Sequence, residues 1–315
     1  MNFSEFDVTR RTRKGNFLNQ IDQLIDWSPI EKAIAQHYAP VSDAAGRPAY
    51  PGLLLFKMLL AGIWHGGLSD EAVEDMANSN LHVMRFLGLN LEDDVPDHSV
   101  LSRFRTRLTT AGAWDGLLAI INGQIQTHGV MVTQGCHVDA SITHSQRKPK
   151  NKPSYEVVND REERDDEADA QAAMGVIEVT QPGVDTEARW VKKSGKSVFG
   201  YKQHTVVDDN GLVIAVETTA ANCHDSKPLL TLLDKAVKNK PLTQRQLQRN
   251  SLITKVRYVV ERTFGSQTRW FGSKVLRYCG LAKAHTWHIL QAMAYNLKRL
   301  PKLYVDKQMQ AQPWG

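Results

Sequence analysis

The sequence has few cysteines: Cys136, Cys223 and Cys279 are the three among 315 residues. So small and odd a set excludes a disulfide framework and favours a reducing compartment. Two of the cysteines precede a histidine, but the Cys-x-x-Cys spacing of zinc sites is absent. Buried, small apolar residues are therefore the favoured interpretation of these cysteines over metal ligands.

Long apolar runs are also scarce. The longest, residues 51–64, contains Lys57 and is shorter than the about 20 residues that span a bilayer. The first fifteen residues place no apolar core behind their charges, which is not the pattern of a secretory signal. With 42% hydrophobic and 23% charged residues, the composition is typical of a globular α/β protein. We expect a cytoplasmic protein without a membrane partner.

Negative charge is almost missing from the C-terminal part of the chain. Fifteen Lys or Arg residues lie between Lys235 and Lys302, against one acidic residue, Glu261. The net charge of the whole chain is only +5, so the distribution of charge is more informative than its sum. A surface with this imbalance is typical of one that follows a phosphate backbone, which predicts DNA as a partner.

The N-terminal part has the periodicity of helices. We expect a basic arm and a helix over residues 1–43, and an all-helical domain over 44–130 in which Ser69 and Asp97 are N-caps. The helix after Asp97 presents Arg103 and Arg107 one turn apart, with Arg105 round the side. Its basic face is interpreted either as solvated surface or as a DNA contact.

From Gly135 the pattern becomes extended. Residues 136–142 predict a strand, and the apolar runs 198–207 and 212–219 flank Asn210-Gly211, which predicts a β-hairpin. Helices are expected over 251–264 and 281–300. Between these parts, residues 146–190 carry dense charge and few large apolar side chains, so a disordered insertion is predicted. The sheet domain is expected over 131–304, followed by a tail over 305–315.

Two carboxylates in this part are candidates for chemistry. Asp139 lies near the end of an apolar strand, where a carboxylate is costly unless it has a partner; turn and cap roles are the alternatives. Glu261 is the single acid of a basic region, and an ion pair with Arg257 is its ordinary role. A bound divalent cation would explain both carboxylates, because Mg²⁺ is held by one or two carboxylates together with phosphate oxygens and waters.

Four motifs in order resemble the catalytic half of insertion sequence 5 family transposases. They are G-x-x-V-D-A-S-I over 135–142, F-G-Y-K-x-H-x-x-x-D over 199–208, T-x-A-N-x-H-D-S within 218–226, and R-x-x-V-E-R-x-F-G over 257–265. The preceding segments GRPAYPGLLLFKMLL, LSDEAVEDM and VPDHSVLSRFR are similar to the helical domain of that family. The resemblance covers most of the chain except the charged insertion.

The resemblance implies an α/β protein with a helical domain followed by a ribonuclease-H-like mixed sheet, flanked by helices. It implies a transposase that binds terminal inverted repeats and target DNA as a homo-oligomer in the nucleoid, and that cleaves and joins strands by two-metal phosphoryl transfer. Asp139 and Glu261 match the first and last catalytic carboxylates, with Mg²⁺, or Mn²⁺ in its place, as their metal. The residues expected to contact DNA are Arg103, Arg105, Arg107, Lys255, Arg257, Arg262, Arg269 and Lys274.

The sequence departs from the family at the second catalytic aspartate. In the family this residue ends strand four, in a segment similar to A-D-x-G-Y, and here no such segment follows Lys235. From ordinary strand, helix and loop lengths, roughly 30–50 residues are absent. Asp225 and Asp234 are weak stand-ins. The alternatives are a catalytic transposase, a catalytically defective DNA-binding remnant of one, and an unrelated helical interaction module.

Overall fold

The computed structural model describes residues 17–38, 49–130, 137–150, 154–159, 174–179, 182–193, 195–236 and 258–311. Up to residue 130 these form helices, as predicted, with Ser69 and Asp97 accepting N-cap hydrogen bonds. The helices are α1 (Phe17–Leu24), α2 (Ser28–Ala35), α3 (Gly52–Trp64), α4 (Asp70–Ser79), α5 (Leu81–Leu87), α6 (His98–Thr110) and α7 (Trp114–Thr127).

Helix α3 is the centre of this helical part, because apolar side chains cover most of its circumference. Its one charged residue, Lys57, is 8% exposed. The Lys57 ammonium donates to Asp22 Oδ1 at 2.8 Å and to the Phe86 carbonyl at 3.1 Å, and lies 4.6 Å from the Trp27 ring centroid. These contacts compensate for the hydration that the ammonium loses on burial. No helix in the described residues is long and apolar enough to cross a membrane.

The second part is built on a mixed five-stranded sheet. The long strand β5 (Lys196–Val207) pairs antiparallel with β1 (His137–Ser145) on one side. On its other side it pairs with β4 (Arg189–Lys193) and then β6 (Val213–Ala220), both antiparallel. The short strand β7 (Val275–Leu276) lies parallel to β1, beside His144 and Ser145. Residues Asp208–Gly211 form the predicted turn between β5 and β6, and Gly211 has a φ of 78°.

Helices cover both faces of this sheet. On one face, Leu232 of α8 (Leu229–Ala236) packs with Val206 and Ala215. The other face carries α9 (Tyr258–Phe271) and the long α10 (Leu281–Ala311). Because α10 also contacts α1, α3, α6 and α7, it joins the sheet to the helical part. The result is a mixed α/β fold with helices on both sides of a mixed sheet.

Parts of the segment 146–190 contradict the prediction of disorder, whereas its residues 151–153, 160–173 and 180–181 lie outside the described residues. Strands β2 (Ser154–Asn159) and β3 (Met174–Val179) form an antiparallel pair within this segment. Near its end, Asp185 is 2% exposed and accepts hydrogen bonds from Tyr201 Oη at 2.7 Å and Ser145 Oγ at 3.2 Å. The prediction failed here because one buried carboxylate with several donors fixes a chain segment that has little apolar surface of its own.

Candidate active site

Asp139 lies on the sheet face that α10 covers. Side chains alternate along a strand, so Asp139 and Thr143 of β1 point to the same face, and Thr143 is hydrogen-bonded to His288 of α10. Asp139 is half-buried and stands opposite Thr205 of β5, which is fully buried. Asp139 is the third of the nine residues of β1, so the prediction that it lies near the end of the strand was wrong. The strand continues because β5 is long enough to pair with β1 as far as His144.

Glu261 is exposed on the first turn of α9, which packs against β1 and β5. This end of α9 is fixed to the β5–β6 turn. The Thr263 hydroxyl donates to the Gly211 carbonyl at 3.0 Å, and the Arg262 guanidinium donates to the Asn210 carbonyl at 3.1 Å. The two predicted carboxylates thus belong to elements that are in direct contact, one half-buried and one facing solvent.

The weak stand-ins do not join this pair. Asp225 accepts a hydrogen bond from the Lys202 ammonium at 2.8 Å, and Lys202 points to the face opposite Asp139 because the two residues differ in register parity across the β1–β5 pair. Burial raises the pKa of the Asp225 carboxyl, but Lys202, together with His204 and His224, outweighs burial, and the pKa is lowered. Asp234 is exposed on α8, the helix on that opposite face.

These positions decide how far a divalent cation fits. Carboxylate oxygens are the ligands that Mg²⁺ prefers, so Asp139 and Glu261 fit in kind. Among the described residues, however, no group of three His, Cys, Asp or Glu side chains is placed to hold a metal ion. The donor set in the described part of the chain is therefore smaller than a two-metal centre needs.

A partly buried network of hydrogen bonds adjoins this site, and the sequence did not reveal it. His288 Nε2 lies 2.9 Å from the Thr143 hydroxyl and its Nδ1 lies 2.8 Å from the Thr218 hydroxyl. The Thr218 hydroxyl is also 3.1 Å from His285 Nδ1, and His285 Nε2 is 3.0 Å from Asp115 Oδ2. These hydrogen bonds connect β1 and β6 to α10, and α10 to α7 in the helical part.

Asp115 can only accept, so His285 Nε2 donates to it. His288 is a neutral ring with one donor and one acceptor nitrogen, so one of the two threonine hydroxyls donates to this ring and the other accepts from it. Burial, first, and the neighbouring His285 and His204 lower the pKa of His288 to about 3.

The predicted DNA contacts fall into three groups. Lys255 and Arg257 lie outside the described residues. Arg262, Arg269 and Lys274 are exposed on α9 and just after it, and the Arg269 guanidinium lies 5.0 Å from the ring centroid of the exposed Trp270. Arg103 and Arg107 are exposed on α6. The exposed members have the accessibility that a DNA contact requires.

Arg105 contradicts its predicted role, because it is 7% exposed. Its guanidinium makes two hydrogen bonds to the Asp70 carboxylate, at 2.9 and 2.7 Å, and lies 4.2 Å from the Tyr278 ring centroid. A guanidinium enclosed by a carboxylate and an aromatic ring cannot reach a phosphate. The helical periodicity placed Arg105 on the flank of α6, but α4 and the loop after β7 cover that flank.

Comparison with known proteins gives three matching family models. One, described as Transposase domain (DUF772), matches residues 6–107; two, both described as Transposase DDE domain, match residues 176–238 and 222–301. The chain is 31% identical, over 231 aligned residues, to the transposase for insertion sequence element IS1106 of Neisseria meningitidis serogroup B. The alignment covers 62% of this chain and 75% of that protein. No solved structure matches the chain.

Proposed function

The chain belongs to the DDE transposases of insertion sequences, and from that premise we propose that it binds the ends of its own element as duplex DNA. The observation that carries this proposal is the exposed basic surface of α9 and the loop after it, formed by Arg262, Arg269 and Lys274. The same surface adjoins Glu261, so bound DNA would lie against the candidate active site. Such a surface attracts the phosphates of DNA whatever the base sequence is.

Within the DDE transposases we assign the chain to the insertion sequence 5 family and its sheet to the ribonuclease-H-like class. The antiparallel order β6–β5–β1 with a parallel neighbour on the far side of β1 supports this assignment. We further propose a homo-oligomer on DNA, target DNA as a second partner, and a cytoplasmic, nucleoid-associated location. The reason is that a transposase has to bring the two ends of its element together on DNA.

For catalysis, Asp139 and Glu261 are the residues that would hold Mg²⁺ or Mn²⁺, and such ions would stabilise charge on the phosphate that reacts. Two carboxylates fall short of the three that the family uses, so we propose that this chain binds DNA and does not cleave it. We derive no cleavage step from this site. The basic side chains of Arg262, Arg269 and Lys274 would attract the DNA backbone and hold a phosphate beside Asp139 and Glu261.

Two further observations support a missing segment after Lys235. The two DDE-domain matches overlap at residues 222–238, and no aspartate occurs between this overlap and Glu261. In addition, 62% of 315 residues is about 195, fewer than the 231 aligned positions, so about 36 of those positions have no counterpart in this chain. That difference lies within the range expected for one strand, one helix and their loops.

The proposal is tested by duplex binding over a series of salt concentrations. Replacing Lys255, Arg262, Arg269 and Lys274 together with Ala should flatten the slope of log affinity against log salt by roughly 3 to 4 units. The matched control replaces four exposed basic residues outside this surface, Lys32, Lys148, Lys150 and Lys227, and should leave the slope nearly unchanged. An unchanged slope in the first variant would remove these residues from the interface.

A further inference from the structure

A basic two-stranded ribbon projects from the sheet, formed by residues 189–199. It consists of β4 and the start of β5, joined by a turn in which Gly195 has a φ of 79°. In the described part of the chain, residues 196–199 of β5 pair with β4 alone, whereas β1 and β6 pair with β5 from Gly200 onwards. The ribbon therefore extends beyond the main sheet as a hairpin of its own.

All the charges on this ribbon are positive. No Asp or Glu occurs between Arg189 and Val207. Arg189, Lys192, Lys193 and Lys196 are exposed, and no carboxylate among the described residues forms an ion pair with the three lysines. Four cations on so short a hairpin repel one another in the free protein, so a polyanion that neutralises them would be bound favourably.

The lysines occupy both faces of the ribbon. Lys193 stands opposite Lys196 across the hairpin, whereas Lys192 points the other way, beside Trp190. Trp190 is 48% exposed, and its ring centroid lies 5.2 Å from that of the buried Phe199. This aromatic pair packs across the two strands of the ribbon and leaves about half of Trp190 at the surface. A ribbon with cations on both faces can reach phosphates on both walls of a groove.

We propose that this ribbon enters the major groove of element-end DNA and contacts phosphates on both strands, an inference that rests on the proposed function. The major groove is about 12 Å wide and admits a two-stranded ribbon. Thr205, opposite Asp139, is nine residues along β5 from Lys196, which is roughly 30 Å at about 3.4 Å per residue. At about 3.4 Å per base pair, the ribbon contacts DNA about nine base pairs from the phosphate beside Asp139.

The test is the salt dependence of binding to a 30-base-pair duplex by the full chain. Replacing Lys192, Lys193 and Lys196 with Ala removes three phosphate contacts, so the salt slope should fall by about 2.7 units. Between 50 and 200 mM salt the unmodified chain should then lose about 40-fold more affinity than this variant. Replacing the same lysines with Arg should preserve the slope, because the charges remain.

The matched control replaces three exposed lysines elsewhere, Lys32, Lys148 and Lys227, with Ala. Its slope should stay within about one unit of the unmodified chain, and equal thermal midpoints of the two variants would show that both fold. Binding by the unmodified chain with an undiminished slope in the ribbon variant, or an equal loss in both variants, would overturn the ribbon proposal alone. Absence of duplex binding by the unmodified chain would overturn the proposed function and the ribbon together.

Discussion

Replacing His288 with Ala should destabilise the fold in a pH-dependent way. His288 is fully buried and satisfies the hydroxyls of Thr143 and Thr218 on two strands that β5 separates. Without the imidazole, the Thr143 hydroxyl loses its bond to His288 at about 1–3 kcal/mol, the Thr218 hydroxyl keeps only its bond to His285, and a cavity remains. We expect the free energy of unfolding at pH 7 to fall by about 3–5 kcal/mol.

The pH dependence follows from the lowered pKa of His288, about 3 in the folded chain against 6.5 for an ordinary histidine. Between these values the unfolded chain binds a proton that the folded chain excludes. The stability that His288 contributes is therefore complete above about pH 6.5 and is lost as pH falls toward 3, by about 1.4 kcal/mol per pH unit. The difference between the unmodified chain and the variant should shrink by about 2 kcal/mol between pH 7 and pH 5.

Urea denaturation of the two proteins at both pH values measures this difference. His37, at the end of the helix α2 and not fully buried, provides the matched control. Its replacement with Ala should cost well under about 1 kcal/mol at either pH, as expected of a surface site. An equal loss of stability in the His288 variant at pH 7 and pH 5 would refute the argument, because it would mean that the folded chain protonates this imidazole as readily as the unfolded chain.

Two further predictions concern buried charges that the sequence analysis misjudged. Arg105→Met should cost about 3–5 kcal/mol because Asp70 loses its partner; adding Asp70→Asn should recover part of that loss, and chemical denaturation that shows no recovery would contradict the pairing. Asp185→Ala should lower the free energy of unfolding by at least about 2 kcal/mol, because Tyr201 and Ser145 lose their buried acceptor. An unchanged thermal midpoint for that variant would show that the 182–188 segment does not brace the sheet.

Local signals predicted the elements well. Ser69 and Asp97 cap their helices because their side chains accept the free backbone N–H groups of the first turn. Asn210-Gly211 marks the β5–β6 turn, because the glycine adopts a positive φ there. In each case the residues that decide the structure are neighbours in sequence, so a short pattern is sufficient.

Long-range contacts explain what the sequence could not show. The periodicity of residues 281–300 predicted an amphipathic helix, but α10 lies between the sheet and the helical part and is buried on most sides. Its polar residues serve as internal partners: Asn296 accepts from the Val213 backbone N–H at 2.7 Å and donates to Asn122 at 2.8 Å. Arg105 and Asp185 are similar cases, since Asp70 lies 35 residues from Arg105, and Tyr201 and Ser145 lie 16 and 40 residues from Asp185.

For the candidate site, the sequence predicted the elements that carry the two carboxylates but not the contacts around them. Motif order placed Asp139 and Glu261 on a strand and on a helix, and those two elements are in contact. The hydrogen-bond chain through His288 left no sequence signal, because its members come from α7, α10, β1 and β6. The basic ribbon was missed because its lysines lie between the predicted insertion, which ends at residue 190, and the apolar run that begins at residue 198, whereas strand pairing assigns them to β4 and β5.

The central claim is that this transposase binds its element's DNA and lacks the carboxylate that cleavage needs. Its most direct test is strand cleavage on duplexes carrying the element's ends, with Mg²⁺ or Mn²⁺, by the unmodified chain and by a chain with a strand-four segment and its aspartate inserted after Lys235. We predict binding by both proteins, cleavage by the second alone, and loss of that cleavage on Asp139→Asn. Robust metal-dependent cleavage by the unmodified chain would contradict the account.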